Sequence, residues 1–467
     1  MSLLVRNADV VVTMDAQRRE LHGGSVLVDG TKIAQVGSAA EVDAWIAAHP
    51  AQAPVRTVEA SGCVVVPGLV NGHHHMFQSL TRAIGTGKGH VLFDWLKLLY
   101  GAWRHLDPDS AYVSAKVAMS ELLLTGATTV ADHLYLYPNG VRLEDTVRAA
   151  QELGLRFHPT RGAMTLGQSE GSFVPDDLVE RDDAVLEDCL RLLQSLHDPE
   201  PGSMLRIGLA PCSPFNATAN LMRESAKMAR AHRAVGLHTH LCETLDEERF
   251  CIGKFGRRPI EYVAELGWVG GDVWYAHMVH PSSEEIRFMG RHRCGVCHCP
   301  SSNMMLASGL APVRDMINHG VRVGLGVDGT ASNDGNHMLG EVRQAMLVQR
   351  AGWPGFESRA DRMPAREALE LATRGGAALL GRDDIGSLEP GKAADLVAFR
   401  VDGLEHAGAQ GDIVAGLLTC SPVRAWLSVI NGRVAVEQGT IVGLDLGRLV
   451  ERHNRLGRDM LRKAGLA

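Results

Sequence analysis

Four short stretches carry side chains that could share one reaction. The first, residues 71–78, reads NGHHHMFQ directly after the apolar run 63–70. Residues two apart on an extended chain point to the same side, so a strand here would place His73 and His75 together and turn His74 away. The second stretch, LHTHLCE, holds His240 and Glu243 at an HxxE spacing. The third, VWYAH, ends on His277, and the fourth, GLGVDGTASND, sets Asp328 where an apolar run becomes a glycine-containing loop. Three imidazoles and one carboxylate, with a water in the remaining position, make an open site for Zn2+ or another divalent transition metal such as Fe2+. A metal of that kind lowers the pKa of its water to about 7. Glu243, just beyond His240, could act as general acid toward a leaving group or ring nitrogen. His277 could hydrogen-bond the attacking water or a developing oxyanion, and Asp328 could be ligand and base together.

Such residues need a frame that gathers distant strand ends. Eight apolar, strand-like runs alternate with helical patterns, at 64–71, 128–133, 155–161, 205–212, 236–240, 273–277, 295–299 and 323–328. Buried strands separated by helices predict an α/β fold, a parallel (β/α)8 TIM-like barrel, with its active site at the C-terminal strand ends. After the histidine stretch, Asp109 or Ser110 is placed to cap a helix bearing Val113, Val117 and Leu124, with Gly126 as its stop. Both chain ends read differently. LLVRNADVVVTM and SVLVDGTKIAQVG, the latter with an Asp29-Gly30 turn, match in character ADLVAFRV and VRAWLSVINGRVAVEQG, with its Asn431-Gly432 turn. The expected organisation is a small β-sandwich from residues 1–66 and 381–440, a barrel over 67–380 ending in a helix at 367–380, and a C-terminal segment 441–467 with an Arg-rich outer helix at 446–463.

Composition narrows the partners. The 467 residues are 45% hydrophobic and 22% charged, with a net charge of −7. That balance fits a globular protein acting on a small, roughly neutral molecule and argues against nucleic acid as the main partner. No apolar run reaches membrane-spanning length, and the opening residues lack a signal-peptide core, so a cytoplasmic protein without a membrane partner is expected. Nine cysteines, spread thinly, fit reduced thiols rather than a disulfide framework.

The stretches PGLVNGHHH, HTHLCE, WYAH, GVDGTASND and IGSLEPGKAADLV resemble the motifs of the amidohydrolase superfamily, in its branch of aromatic-heterocycle deaminases and triazine hydrolases. The resemblance implies one divalent metal per subunit, most simply Zn2+, held by His73, His75, His240 and Asp328, with Glu243 and His277 assisting proton transfer. Relatives with two metals carry a bridging lysine on strand four, which RIGLAPCSPF lacks. Further stretches, among them HHHMFQSLTRA, LFDWLKLLY, TRGAMTLGQ and HCPSSNMMLASG, resemble the 8-oxoguanine deaminases. This implies a homo-oligomeric enzyme converting 8-oxoguanine to urate and ammonia. Pterin or guanine deamination and s-triazine amino- or chlorohydrolysis are the alternatives, and a non-catalytic scaffold on the same fold is a further one. In that reading Gln78 meets the purine edge, Trp95 lines the pocket and Arg161 grips a carbonyl or ring nitrogen. Two positions depart from relatives: Cys212 stands where many carry histidine, and Met305 where near ones often carry arginine.

Three other motifs are set aside. GSLEPGK at 386–392 lacks the Ser/Thr and following helix of a phosphate loop. Cys294, Cys297 and Cys299 lack a second CxxC for a zinc knuckle. Asn216-Ala217-Thr218 is a formal glycosylation sequon without relevance to a cytoplasmic chain.

Overall fold

The computed structural model describes residues 2–87, 89–352 and 357–466. Among the described residues, eight strands follow one another around a parallel sheet: Leu69–Asn71, Ala127–Leu134, Arg156–Ala163, Gly208–Pro211, Leu237–Leu241, Val273–His277, Gly295–His298 and Arg322–Leu325. Gly72 N donates to Leu325 O at 2.8 Å, drawing the last strand against the first. Helices cross between successive strands on the outside, as parallel pairing requires. This is the expected α/β barrel.

The two chain ends build the second sheet. Its strands run in the order Thr440–Ile441, Arg433–Glu437, Ala425–Ile430, Leu396–Arg400, Cys63–Pro67, Leu3–Val12, Glu20–Asp29 and Lys32–Ser38. Leu3–Val12 pairs with Arg56–Glu59 over its first half and with Cys63–Pro67 over its second, and a bulge between Val5 and Ala8 bends it between them. The seam with the barrel is a buried ion pair. Arg156, on the third barrel strand, donates to both Asp395 carboxylate oxygens at 2.9 and 3.0 Å, and Asp395 also accepts Asn431 N at 2.7 Å.

Two sequence expectations change. The run 64–71 is two strands in different sheets, Cys63–Pro67 and Leu69–Asn71. Gly68 lies between them, packed so closely on Thr128 that a Cβ there would come within 2.0 Å of Thr128 Oγ1. The barrel strand therefore ends at Asn71, and His73, His74 and His75 lie on the irregular chain beyond it. The next long helix, Pro108–Leu124, is capped by Asp107 rather than by Asp109 or Ser110. Asp107 accepts Ser110 N at 2.8 Å, and Pro108 fits the first helical position, where no N–H is needed.

The C-terminal helix spans Leu446–Lys463 as expected. It reaches toward the site: His453 Nε2 lies 3.0 Å from Ser79 Oγ, and Gly457 lets the helix approach Leu80 O. The turn Met76–Thr81, which directly follows the histidines, is thus held from outside.

Candidate metal centre and active site

The hydrogen bonds around the histidines fix where their protons sit. His75 Nδ1 donates to His133 O at 2.7 Å, and His240 Nδ1 donates to Cys212 O at 2.7 Å. His238 Nδ1 donates to Trp274 O at 2.9 Å, so its Nε2 is bare and accepts His73 Nδ1–H at 2.7 Å. Neutral His73, His75 and His240 therefore all present an unprotonated Nε2. Burial, the largest influence, holds all three rings below the ordinary imidazole pKa, His75 at about 3.

These bare nitrogens converge. His75 Nε2 and His240 Nε2 are 3.0 Å apart, and Asp328 Oδ1 lies 3.2 Å from His73 Nε2 and 3.5 Å from His75 Nε2. His73 Nε2 is buried without a hydrogen-bond partner. Lone pairs facing lone pairs at such distances repel unless a cation lies between them. The donor set, nitrogen and carboxylate oxygen, is one that Zn2+ accepts. His74 is turned elsewhere, with Nε2 2.8 Å from Asn336 Oδ1.

Asp328 is anchored on its other side by Ser302 Oγ at 2.6 Å and Ser332 Oγ at 3.1 Å. His277 Nε2 lies 3.9 Å from Asp328 Oδ2 and 3.7 Å from Glu243 Oε2. Its other nitrogen meets Asn303 Oδ1 at 2.8 Å. Glu243 accepts Ser308 Oγ at 3.4 Å, and burial raises its carboxyl above the ordinary carboxylate pKa. The Glu243 backbone is fixed by Glu247, whose carboxylate accepts Cys242 N at 3.1 Å and Glu243 N at 2.8 Å.

Four residues at the same strand ends have left-handed backbone. Cys242, His277, Met278 and Asp328 have φ of 52, 73, 49 and 62°, a region unfavourable for side chains with a Cβ. Neighbouring loops hold them there: Cys242 O accepts Val279 N and His280 N, both at 2.9 Å, and Asp328 N donates to His73 O at 3.2 Å.

Above these groups lies a cavity of about 420 Å3, counting the open space at its mouth. His75, His240, Glu243, His277 and Asp328 form part of its lining, and Trp95, Tyr100, Tyr135 and Phe215 supply aromatic surface. Gln78 and Cys212 line it too. Gln78 rests on Gly329, where a Cβ would come within 1.9 Å of Oε1, so a larger residue after Asp328 would displace the Gln78 amide.

Arg161 is the exception among the expected site residues. Strand alternation turns it out of the barrel toward the helix Asp182–Ser195, where it donates to Asp188 at 2.7 Å and Glu180 at 2.7 Å and stacks on Tyr137. It does not line the cavity. Met305 stands on an adjoining cleft, 47% exposed.

The set-aside motifs resolve structurally. Residues 386–392 lead into the strand Leu396–Arg400, and Cys294, Cys297 and Cys299 are buried around the strand Gly295–His298. Asn216 is buried against the cavity. Several residues of the site escaped sequence reasoning, among them His133, His238, Ser302, Asn303, Ser308 and Glu247. A signal existed for one: His238 stands two residues before His240, as His73 stands before His75.

Comparison with known proteins agrees with this geometry. The chain is 44% identical over 451 residues to the 8-oxoguanine deaminase of Pseudomonas aeruginosa, covering 96% of this chain and 97% of that one. It is 38% identical over 400 residues to hydroxydechloroatrazine ethylaminohydrolase of a Pseudomonas species, covering 84% and 82%. Its structure is similar to that of atrazine chlorohydrolase from Arthrobacter aurescens complexed with zinc, with a TM-score of 0.90, 37% identity, and coverage of 97% and 100%. The model of the amidohydrolase family matches residues 64–428, and the chain belongs to that family.

Proposed function

We propose that the protein is a metal-dependent hydrolytic deaminase of an amino-substituted, purine-like heterocycle, with 8-oxoguanine, converted to urate and ammonia, as the leading substrate. One observation carries this reading: three bare imidazole nitrogens and the Asp328 carboxylate meet beside a cavity in which Glu243 and His277 are also buried. Similarity to an 8-oxoguanine deaminase over nearly the whole chain supports the choice of ring.

His73, His75, His240 and Asp328 would hold the metal. Bound there, Zn2+ supplies Lewis acidity and brings the pKa of a water to about 7. The remaining work falls to side chains. Glu243, raised by burial, keeps a proton available for a ring nitrogen and can later pass one to the departing amine. Asp328 takes the proton of the attacking water. His277, oriented by Asn303, steadies the oxygen added to the ring. The aromatic walls flank a planar ring and keep bulk water out. The reading extends to a cytoplasmic homo-oligomer with reduced cysteines. Among the described residues no helix is long and apolar enough to cross a membrane, and light scattering on the purified chain tests the assembly.

Ammonia release from the zinc-loaded protein decides the chemistry. Assays with 8-oxoguanine, guanine, isoxanthopterin and hydroxyatrazine-type triazines should show the highest kcat/KM for 8-oxoguanine. Turnover of a triazine alone would move the reading to the rival leaving groups, and a purified protein without stoichiometric metal would favour the non-catalytic scaffold.

A further inference from the structure

The three imidazoles that present bare nitrogens are not held alike. His75 and His240 give their Nδ1 protons to backbone carbonyls, His133 O and Cys212 O. His73 gives its proton to a side chain instead, His238 Nε2 at 2.7 Å. His238 stands two residues before His240 on the fifth barrel strand, so the two rings share one side of it with His238 a layer deeper. Branched apolar side chains ordinarily fill such a layer. An imidazole there, 1% exposed, is not explained by packing.

Its seat is built by Trp274, the residue paired with it on the sixth strand. Trp274 O accepts His238 Nδ1–H at 2.9 Å, and the indole lies face to face with the imidazole, 4.7 Å between centroids at an interplanar angle of 16°. The indole Nε1–H also donates to Gly72 O at 3.3 Å, on the residue before His73. Gly236 leaves room for the indole, since a Cβ there would come within 2.4 Å of it. One tryptophan thus holds both the chain leading into the ligand and the ring that receives the ligand's proton.

What His238 prevents is visible on the other side of His73. A neutral imidazole has one N–H, and His73 has an acceptor at each nitrogen: His238 Nε2 is 2.7 Å from Nδ1, and Asp328 Oδ1 is 3.2 Å from Nε2. A proton on Nε2 would be drawn to the Asp328 carboxylate and would block the nitrogen that faces the cation. His238, with its own proton committed to Trp274 O, offers only an acceptor and draws the His73 proton to the far side. It does so without charge, whereas a carboxylate in its place would weaken the positive character of the metal centre.

We propose that His238, seated on Trp274, is a positioning residue of the metal centre: it sets the tautomer of His73 and so leaves Nε2 free for the cation. The proposal rests on the reading of His73 as a metal ligand, and it places the effect in metal affinity rather than in a chemical step.

Zinc affinity of the purified full-length chain, measured by competition with a chromophoric chelator, tests this in two variants. His238→Leu removes the acceptor and should weaken zinc binding by about ten- to a hundredfold, the usual effect of losing such a partner. His238→Gln can accept from His73 and donate to Trp274 O, and should bind zinc within about threefold of wild type. Urea unfolding in excess chelator separates this from damage to the fold. The metal-free His238→Leu protein should keep the wild-type midpoint, because His73 can turn its proton to Asp328. Unchanged zinc affinity in His238→Leu overturns the proposal, as does an equal loss in both variants or a loss matched by an equal fall in metal-free stability. One measurement needs no variant at this position. Long-range proton–nitrogen NMR of the metal-free wild type, with the His73 ring assigned by its absence in His73→Asn, should show the proton on Nδ1, and a proton on Nε2 overturns the proposal. Wild type that takes up no zinc but carries the His73 proton on Nδ1 would sink the metal-centre reading and leave His238 as the group that sets the tautomer.

Discussion

Asn303 Oδ1 lies 2.8 Å from His277 Nδ1, in a segment that touches all three proton-handling residues. One residue earlier, Ser302 bonds Asp328, and five residues later Ser308 reaches Glu243. The short helix Pro300–Met305 and the chain just after it thus carry the alignment of groups that arrive on three other strands. Asn303 as acceptor keeps a proton on His277 Nδ1 and holds the ring with Nε2 between Glu243 and Asp328.

Asn303→Leu should therefore lower kcat by about ten- to a hundredfold, toward the loss expected for a misoriented acid-base group, with KM nearly unchanged. Asn303→Asp keeps an acceptor at the same place and should restore part of the rate. Equal kcat losses in the two variants would show that Asn303 only fills space.

Glu243→Gln tests the proton carrier itself. The side chain is buried and makes one weak hydrogen bond, so the amide fits with little structural cost. Turnover should fall by at least about a hundredfold while zinc content stays at the wild-type level. Near wild-type turnover removes Glu243 from the mechanism.

Removing the metal should be felt in the fold as well as in the rate. Without a cation, three bare nitrogens and a carboxylate remain packed within hydrogen-bonding distances. A ligand bound only by the native state, at a thousandfold excess over its Kd, adds about 4 kcal/mol of stability. Chelation should lower Tm, and zinc should restore it. A His240→Ala variant should show no such response, and an identical response from that variant would place the metal elsewhere.

Much of this was legible in the residues. Eight apolar runs and two turn-punctuated ends specify a barrel and a terminal sheet because burial and turn chemistry are local properties. His73, His75, His240, Glu243, His277 and Asp328 stand at the C-terminal ends of the first, fifth, sixth and eighth barrel strands, where such a barrel gathers them. What was not legible depends on contacts between distant segments. Nothing near Gly68 in sequence announces that one apparent strand is shared between two sheets. Asn303 and Ser308 act only because the loop after the seventh strand folds over the ends of the fifth and sixth. Arg161 was misplaced for a different reason: a strand's end identifies a neighbourhood, but its alternation decides which side a residue faces.

Arg161 gives a prediction that separates the two readings. Turned outward, it is a buried cation shared by Glu180 and Asp188, and Arg161→Met should cost stability while sparing substrate binding. Breaking a fully buried pair costs about 3–5 kcal/mol. Here the carboxylates keep 26% and 27% of their side-chain surface exposed, so about 2–3 kcal/mol is expected after that discount. KM should stay within about threefold of wild type. A tenfold rise in KM without loss of stability would return Arg161 to the substrate.

Acid should unfold the protein earlier than its carboxylates alone would dictate, and His298, which is not one of the proposed metal ligands, provides a test. It ends the seventh strand, is buried, and has no hydrogen-bond partner for either ring nitrogen. Burial, aided by the charge of His277, pushes its pKa down to about 3, against about 6.5 for an unfolded histidine. The unfolded chain therefore binds this proton first. Its contribution to stability is fully present above about pH 6.5 and declines by about 1.4 kcal/mol per pH unit below that, until the folded pKa is reached. His298→Leu removes the titration and keeps an apolar side chain of similar reach. Urea unfolding of both proteins in excess chelator, so that metal release cancels, should show wild type losing stability more steeply from pH 6 to pH 4. Parallel profiles would mean that His298 is already protonated in the fold, with an unseen partner for its charge.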